Sequence, residues 1–119
     1  MIRTSFLARA VDHIKTHWQQ GQSLKQVAVK FGVDAGNLDR AFRKQEGMPA
    51  KEFLDRKREE RLLLLITDHT RYGHEIGTEL GFLNGFAFYR WVRRMFGVSF
   101  TELRARARSG FEARANDKK

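Results

Sequence analysis

Apolar residues recur at helical spacing along most of the chain. One face of a first predicted helix, which Thr4 or Ser5 can cap, carries apolar side chains at i, i+4, i+7 and i+11, namely Leu7, Val11, Ile14 and Trp18. No segment alternates apolar and polar residues for long enough to form a strand. The pattern therefore predicts an all-α fold of about seven helices.

Capping and stop residues divide the first half of this pattern into separate helices. Ser23 and Gln26 have the spacing of a capping box, which predicts the start of a second helix, and Gly32 is typical of its end. Asp34 can cap a third helix, because its side chain accepts hydrogen bonds from backbone N–H groups that lack helical partners. Gly47 then supplies a second stop signal.

The second half begins with a longer predicted helix. Pro49 suits a first helical turn, and no helix-breaking residue follows between positions 50 and 67. We therefore expect one linker helix over 50–67, which would span about 27 Å. Three further helices are predicted from 71 to 80, from 84 to 96, and after the capping pair Ser99–Glu102.

The chain contains an internal repeat. At an offset of 49 positions, Val27, Phe31, Gly32 and Val33 recur as Ile76, Leu80, Gly81 and Phe82. At an offset of 50 positions, Leu38, Arg40, Phe42, Gly47, Met48 and Phe53 recur as Phe88, Arg90, Val92, Gly97, Val98 and Leu103. The change of offset by one places a single inserted residue in the second turn. The pattern indicates a tandem duplication.

Each repeat consists of a helix, a short turn that contains glycine, and a second helix. Two short helices that cross steeply need a small residue where their backbones approach, and the chain must reverse just afterwards. Ala28 and Gly32 meet these needs in the first repeat, and Gly77 and Gly81 meet them in the second. This is the helix-turn-helix pattern, whose second helix can enter the major groove of DNA.

The repeat and the linker predict four segments. The first is an N-terminal helix-turn-helix subdomain over residues 1–49, and the second is the linker helix over 50–67. A C-terminal helix-turn-helix subdomain follows over 68–108. A flexible basic tail over 109–119 completes the chain.

Charge narrows the possible partners. The 119 residues include 23 Lys and Arg against 14 Asp and Glu, a formal net charge of +9, which favours nucleic acid or an anionic membrane surface. The longest apolar run, Leu62–Ile66, is far too short to cross a membrane. There is no Cys, which excludes disulfides and thiolate metal sites. We therefore expect a soluble, cytoplasmic protein without a membrane partner.

The motifs of both repeats resemble the AraC/XylS family of bacterial transcription regulators. The second repeat contains Ile76-Gly77-x-x-Leu80-Gly81-Phe82, then Phe88-Tyr89-Arg90-x-Val92-Arg93-x-x-Phe96-Gly97-Val98-Ser99 and Leu103-Arg104. The first contains Val27-Ala28-x-x-Phe31-Gly32-Val33, then Leu38-x-Arg40-x-Phe42-Arg43-Lys44-x-x-Gly47-Met48 and Phe53. The resemblance extends from about residue 5 to residue 108.

The resemblance implies a function for the chain. Without a sensor domain, the chain resembles the small stand-alone members that activate multiple-antibiotic-resistance and superoxide responses. Such a protein would bind double-stranded promoter DNA as a monomer, with two recognition helices in successive major grooves about 34 Å apart. It would activate transcription by binding beside RNA polymerase and touching it. It would reside in the bacterial cytoplasm, associated with the nucleoid when bound.

Four residues depart from what the resemblance implies. Phe100 stands where the family usually has Pro, and Gly77 stands where it usually has Ala. Glycine inside a helix costs about 1 kcal/mol relative to alanine, which predicts that the second unit is the less stable one. Gly36 and Gly85 occupy early positions of the two recognition helices, where relatives often carry a base-contacting side chain. Readout there would rest on close backbone approach or on neighbouring side chains.

The candidate DNA contacts are the recognition-helix positions that face away from the predicted core. In the first unit they are Ala35, Gly36, Asp39, Arg40, Arg43 and Lys44. In the second unit they are Gly85, Phe86, Tyr89, Arg90, Arg93 and Arg94. Arginine can donate two hydrogen bonds to guanine O6 and N7, and aspartate can accept one from cytosine N4.

For three of these residues, Arg40, Arg90 and Phe86, a structural role is an alternative to DNA contact. Arg40 and Arg90 can contact bases or phosphates, but they can equally be solvated charges or pair with an acidic residue on a neighbouring helix. Phe86 can pack on a thymine methyl group or cap the hydrophobic core, and the core is the favoured interpretation. Lys44 is interpreted as a phosphate contact.

Catalysis and metal binding have little support. His13 and His17 are one helical turn apart, but the metalloprotease spacing needs Glu beside the first His, and Ile14 stands there. They are better interpreted as solvated surface histidines. Glu59 and Glu60, which stand among basic residues, are typical of a charged helix face. We expect no enzyme activity, no cofactor and no metal site.

Two rival functions use the same features. A non-sequence-specific or architectural nucleic-acid-binding protein would use the basic faces without reading bases. A regulator that has lost DNA contact would act through protein partners, and outward members of Leu62–Ile66 could supply part of such a surface.

Overall fold

Every regular element between residues 5 and 109, the range that the computed structural model describes, is helical. Seven α-helices follow one another: α1 (Phe6–His17), α2 (Leu24–Phe31), α3 (Ala35–Glu46), α4 (Ala50–Leu65), α5 (Gly73–Glu79), α6 (Gly85–Phe96) and α7 (Phe100–Arg108). One turn of 3-10 helix follows α1 at Trp18–Gln20. The all-α prediction is confirmed. Thr4 and, beyond Ser109, the predicted basic tail lie outside the described residues.

The chain divides into two compact units, Met1–Arg58 and Glu59–Lys119. The boundary falls inside α4, so each unit includes part of the predicted linker helix. That helix ends at Leu65, two residues earlier than the sequence predicts. The cause is a turn in which the Asp68 backbone N–H donates to the Leu65 carbonyl over 3.0 Å. The four-segment division made from the sequence stays a prediction.

The first unit packs α1, α2, α3 and the start of α4 around one apolar core. Its buried residues are Ala10, Val11, Val27, Ala28, Leu38, Phe42 and Ala50. Ser23 and Gln26 form the predicted capping box, since each side chain accepts a hydrogen bond from the other residue's backbone N–H. Lys15 on α1 pairs with Glu46 at the end of α3 over 3.0 Å.

The second unit has a larger aromatic core. Its buried residues are Leu62, Ile66, Ile76, Leu80, Phe88, Trp91, Val92, Phe100 and Leu103. Within the apolar run Leu62–Ile66, Leu62 and Ile66 are buried whereas Leu64 is 71% exposed, so the run lies mainly on the core side, as predicted. Arg104 of α7 donates hydrogen bonds to the carbonyls of Ile66 (2.7 Å) and Asp68 (3.2 Å), beyond the end of α4. The bond to Ile66 gives a donor to a carbonyl just beyond the last turn of α4, whereas the Asp68 carbonyl also accepts from the Arg71 backbone N–H over 3.2 Å.

Backbone hydrogen bonds confirm the internal repeat. In the first turn, the Val33 N–H donates to the Ala28 carbonyl over 2.9 Å. In the second turn, the Phe82 N–H donates to the Gly77 carbonyl over 3.0 Å. Both donors and both acceptors are separated by the same offset of 49 positions. The two turns therefore reverse the chain by the same mechanism.

The caps of α3 and α6 locate the inserted residue. Asp34 and Asn84 each accept a hydrogen bond from a backbone N–H in the first turn of the following helix, over 3.0 Å and 2.8 Å. These two caps are 50 positions apart, whereas Val33 and Phe82 are 49 apart. The single insertion is therefore Leu83, which directly precedes the cap of α6.

The glycine at position 77 is required by the packing of the second unit. A Cβ atom on Gly77 would lie 2.7 Å from Cβ and 2.7 Å from Cγ of Phe88, closer than real side chains approach. Phe88 also packs edge-on against Phe100, with ring centroids 5.6 Å apart. Gly77 and Phe100, the two residues that replace the usual Ala and Pro of the family, therefore both pack against the ring of Phe88. The advantage of about 1 kcal/mol that alanine has over glycine in a helix is offset here by the clash that its methyl group would make with Phe88.

Replacing Gly77 with alanine tests this packing. We expect Gly77→Ala to lower the free energy of unfolding by about 1–3 kcal/mol, because the added methyl group overpacks a filled core. The double variant Gly77→Ala/Phe88→Leu recreates the pair that the first unit has at Ala28 and Leu38. Urea unfolding of wild type, both single variants and the double variant should show favourable coupling between the two changes. Additive losses would contradict the assigned contact.

A group of charged residues joins three parts of the second unit. Glu79 of α5 pairs with Arg61 of α4 over 2.9 Å and with Arg71 from the preceding loop. Arg71 also pairs with Asp68 over 3.4 Å. The hydrogen bond from Arg71 lowers the pKa of the Glu79 carboxyl, and the bond from Arg61 adds to this effect. The ionised carboxylate is therefore favoured by the folded state.

The lowered pKa of Glu79 gives stability a defined pH dependence. Because the folded pKa lies below the unfolded value of about 4.3, the stabilisation is fully present above that value and is lost as pH falls through the folded pKa. We expect Glu79→Gln to have a lower Tm than wild type at pH 7, and the two Tm values to converge in acid. Glu102→Gln, which removes an exposed pair within α7, serves as the control. A Tm difference that persists unchanged below pH 3 would contradict this origin.

Candidate nucleic-acid interface

The helices α3 and α6 each bury one face in their unit and leave the opposite face exposed. Leu38 and Phe42 anchor α3, whereas Phe88, Trp91 and Val92 anchor α6. Most of the predicted contact residues are exposed, namely Gly36, Arg40, Arg43, Lys44, Phe86, Tyr89, Arg90, Arg93 and Arg94. Three are half-buried, namely Ala35, Asp39 and Gly85. Each helix therefore brings its own set together on one side of its unit.

The exposed face of α3 carries polar side chains, and most of them form hydrogen bonds or ion pairs with other side chains of the same helix. Arg40 donates from Nη2 to Oδ1 of Asn37, one turn earlier. Arg43 pairs with Asp39 over 3.0 Å, so the Asp39 carboxylate already has a donor. No acidic residue of the described range pairs with Arg40. The partner of Arg40 is the side-chain amide of Asn37 in the same helix. Asn37 therefore belongs to the exposed face of α3, although it is not among the contact residues predicted from the sequence. Its position three residues before Arg40 is the signal that indicates this contact.

The exposed face of α6 is aromatic at its beginning and basic at its end. Phe86 is 70% exposed, so the favoured interpretation that it caps the core is wrong. The guanidinium carbon of Arg90 lies 5.0 Å from the centroid of the Phe86 ring, a cation–π contact. Within the part of the chain that the structure describes, Arg90 makes no pair with an acidic residue on a neighbouring helix. Phe86 was misassigned because its neighbours Phe88 and Trp91 already fill the core.

The two early glycines have different surroundings. A Cβ atom on Gly85 would lie 3.3 Å from Cβ of His74, so this position serves the close packing of α6 on α5. At Gly36 a Cβ atom would lie 3.1 Å from the Asp34 carboxylate that caps α3. Because Gly85 packs against His74, its contacts favour recognition of bases by neighbouring side chains over close approach of the Gly85 backbone to DNA.

Tyr89 and Leu83 flank Phe86. Tyr89 is 41% exposed, and the inner part of its ring packs against Phe100 with centroids 5.9 Å apart. Leu83 is 93% exposed and precedes the cap of α6. Leu83 is not among the contact residues predicted from the sequence, although the change of repeat offset indicates an insertion at this turn.

A cavity of about 690 Å³ lies within the first unit. It is lined by residues from α1, from the 3-10 turn, and from the beginnings of α2 and α4, together with Asp39 and Arg43 of α3. His13 lines it and is half-buried: its Nε2 is 2.8 Å from Oε1 of Gln22, and its ring stacks on His17 at 4.5 Å. His13 is thus a partly buried histidine in the wall of this cavity, whereas His17 is exposed, as expected of a solvated surface histidine.

Comparison with known proteins places these two units in a family. A family model described as a helix-turn-helix domain matches residues 27–106. The structure is similar to the C-terminal domain of AraT, a response regulator from Geobacillus stearothermophilus, with a TM-score of 0.69, 24% identity, and coverage of 86% of this chain and 85% of that chain. No curated protein sequence matches the chain.

Two further solved structures share the fold. One is the C-terminal domain of the two-component response regulator yesN from Fusobacterium nucleatum subsp. nucleatum, with a TM-score of 0.68, 23% identity, and coverage of 81% of this chain and 94% of that chain. The other is the DNA-binding domain of AdpA, a global transcriptional factor, in complex with a target DNA, with a TM-score of 0.67, 24% identity, and coverage of 88% and 96%.

Two helix-turn-helix units in tandem define the class of this protein. The chain belongs to the AraC-type helix-turn-helix family, as the resemblance in its motifs implies. Among the helices within residues 5–109, none is both long and apolar enough to cross a bilayer.

Proposed function

We propose that this chain is a sequence-specific DNA-binding transcription regulator that reads promoter DNA through α3 and α6. The observation that carries the proposal is the equivalence of the two exposed faces. Arg40, Arg43 and Lys44 of α3 recur 50 positions later as Arg90, Arg93 and Arg94 of α6, and all six are exposed. Family membership and the solved AdpA domain, which is in complex with a target DNA, support the same function.

The two faces would contribute unequally to binding. From position 84 to 96 the chain has three arginines and no acidic residue, whereas from 34 to 46 three basic residues are balanced by three acidic ones. Phosphate attraction is therefore stronger at α6. The paired polar side chains of α3 supply relatively more hydrogen-bonding discrimination between bases.

The first experiment separates base contacts from phosphate contacts. On a site obtained by in vitro selection, we expect Arg40→Ala and Arg90→Ala each to cost about 1–3 kcal/mol, with a smaller loss on random DNA. Lys44→Ala, which removes the proposed phosphate contact, should weaken binding to both DNAs about equally. Fluorescence anisotropy at fixed salt measures all four proteins on both duplexes.

The rival functions give different results in this experiment. An architectural or coating protein would bind selected and random DNA alike, and the arginine variants would lose the same affinity on each. A regulator that acts only through proteins would bind neither DNA. Either result would overturn the proposal.

We further propose that one monomer occupies an asymmetric site of two short elements. Each chain has two recognition helices, so binding both elements does not need a second copy. Inserting about 5 base pairs, half a helical turn, between the elements should reduce affinity to that of one unit alone. The same insertion placed outside both elements is the control. Palindromic selected sites, or affinity that tolerates the half-turn insertion, would point to a dimer or to a flexible connection.

We also propose that this chain activates transcription. A protein of this family that binds beside RNA polymerase and touches it would act as an activator, in the bacterial cytoplasm where promoter DNA lies. A pull-down of RNA polymerase with and without the selected promoter DNA tests that contact.

A further inference from the structure

The second unit exposes three large apolar side chains at the beginning of α6. Leu83 is 93% exposed, Phe86 is 70% exposed and Tyr89 is 41% exposed. They follow one another at a spacing of three residues, so Phe86 and Tyr89 are neighbours on the surface of the helix. We call these three residues the apolar patch of α6. Single exposed apolar residues are ordinary, but three within seven positions at the start of one recognition helix indicate a binding surface.

The first unit shows that the helix-turn-helix frame does not require the apolar patch. The positions equivalent to Phe86 and Tyr89 are Gly36 and Asp39, and Leu83 is the inserted residue that has no equivalent. The first unit nevertheless makes the same turn and the same helix cap. The exposed parts of the patch are therefore additions to the surface of the recognition helix.

The surroundings of the patch favour DNA over a protein partner. Phe86 lies under the guanidinium of Arg90, and two further arginines, Arg93 and Arg94, follow on the exposed face of the same helix. No acidic residue occurs from 84 to 96. Apolar side chains followed on the same helix by arginines, with no acidic residue among them, complement a polyanion that also presents apolar groups.

In the major groove that apolar group is the C5-methyl of thymine. The other base edges present hydrogen-bond donors and acceptors, which would lose their hydration against Phe86 or Leu83 without gaining a partner. Arg90, whose guanidinium lies over the Phe86 ring, has donors that match guanine O6 and N7. The 5.0 Å between its guanidinium and the Phe86 ring keeps the two groups adjacent, so we expect them to contact neighbouring bases.

Resting on the proposed function, we infer that the second unit recognises thymine through its methyl group, using the apolar patch of α6, with a guanine held nearby by Arg90. The first unit, whose equivalent positions are Gly36 and Asp39, reads its element through hydrogen bonds. The two repeats thus read DNA by different chemistry within one protein.

Replacing thymine by deoxyuridine tests the inference, because it removes only the methyl group. Footprinting with the Arg40→Ala and Arg90→Ala variants first assigns each element of the selected site to a unit. In the element of the second unit, we expect deoxyuridine at the contacted thymine to weaken wild-type binding roughly fourfold. Deoxyuridine in the element of the first unit should leave affinity unchanged. Replacing the nearby guanine by 7-deazaguanine should weaken wild type but not Arg90→Ala.

Variants of the patch connect the methyl group to the side chain. Phe86→Ala should bind the thymine and deoxyuridine duplexes equally, whereas Phe86→Leu should keep most of the discrimination. Leu64→Ala removes an equally exposed leucine from α4 and is the matched control, for which we expect wild-type discrimination. Thermal unfolding of each variant shows that the comparison is made between folded proteins.

The outcomes distinguish this inference from the function on which it rests. Equal wild-type affinity for thymine and deoxyuridine duplexes, with the specific site still bound and Arg40→Ala still impaired, would overturn the inference alone. The inference would also be overturned if Phe86→Ala still bound the thymine duplex more tightly than the deoxyuridine duplex. It would equally be overturned if Phe86→Ala bound DNA like wild type and lost only the binding of a protein partner such as RNA polymerase. Absence of any sequence preference in wild type would overturn the proposed function itself.

Discussion

The close contact between Gly77 and Phe88 determines the packing of the second unit. Without a side chain at position 77, α5 approaches α6 until the Phe88 ring lies against its backbone. Phe88 in turn contacts Phe82, Trp91 and Phe100, so one crossing point organises most of the aromatic core. Phe88 also fixes how α6 is rotated about its own axis. Because Phe86 and Arg90 lie on the face of α6 opposite to its buried side chains, this rotation is what turns them towards solvent.

Most of the fold could be predicted from the sequence because its signals are local. Caps such as Ser23 and Asp34 and stop signals such as Gly47 act within one helical turn, and the structure places them where the pattern predicts. The early end of α4 coincides with a turn after Leu65, and the Ile66 carbonyl beyond it accepts a hydrogen bond from Arg104, nearly forty residues further along the chain. Helical periodicity reveals neither contact, so the sequence predicts a helix that continues to position 67.

The candidate site was predictable only in outline. The exposed sides of α3 and α6 follow from helical geometry, but the partner of each side chain depends on competition for space and hydrogen bonds. Phe86 was assigned to the core on its hydrophobicity, and only the placement of Phe88 and Trp91 shows that the core is already full. Whether glycine destabilises a helix is similarly decided by the neighbour across the interface, as Gly77 shows.

The hydrogen bonds from Arg104 to the end of α4 also affect the order of events during protein synthesis. The core of the first unit is complete once Phe53 has been made, since every buried residue of that core precedes it. The Ile66 carbonyl receives its donor from Arg104, and the core of the second unit receives Phe100 and Leu103, only after α7 has emerged. The amino-terminal half can therefore fold while the ribosome is still translating. The carboxyl-terminal half must wait for its last helix, and a ribosome that stops before Arg104 leaves half of a duplicated protein able to fold.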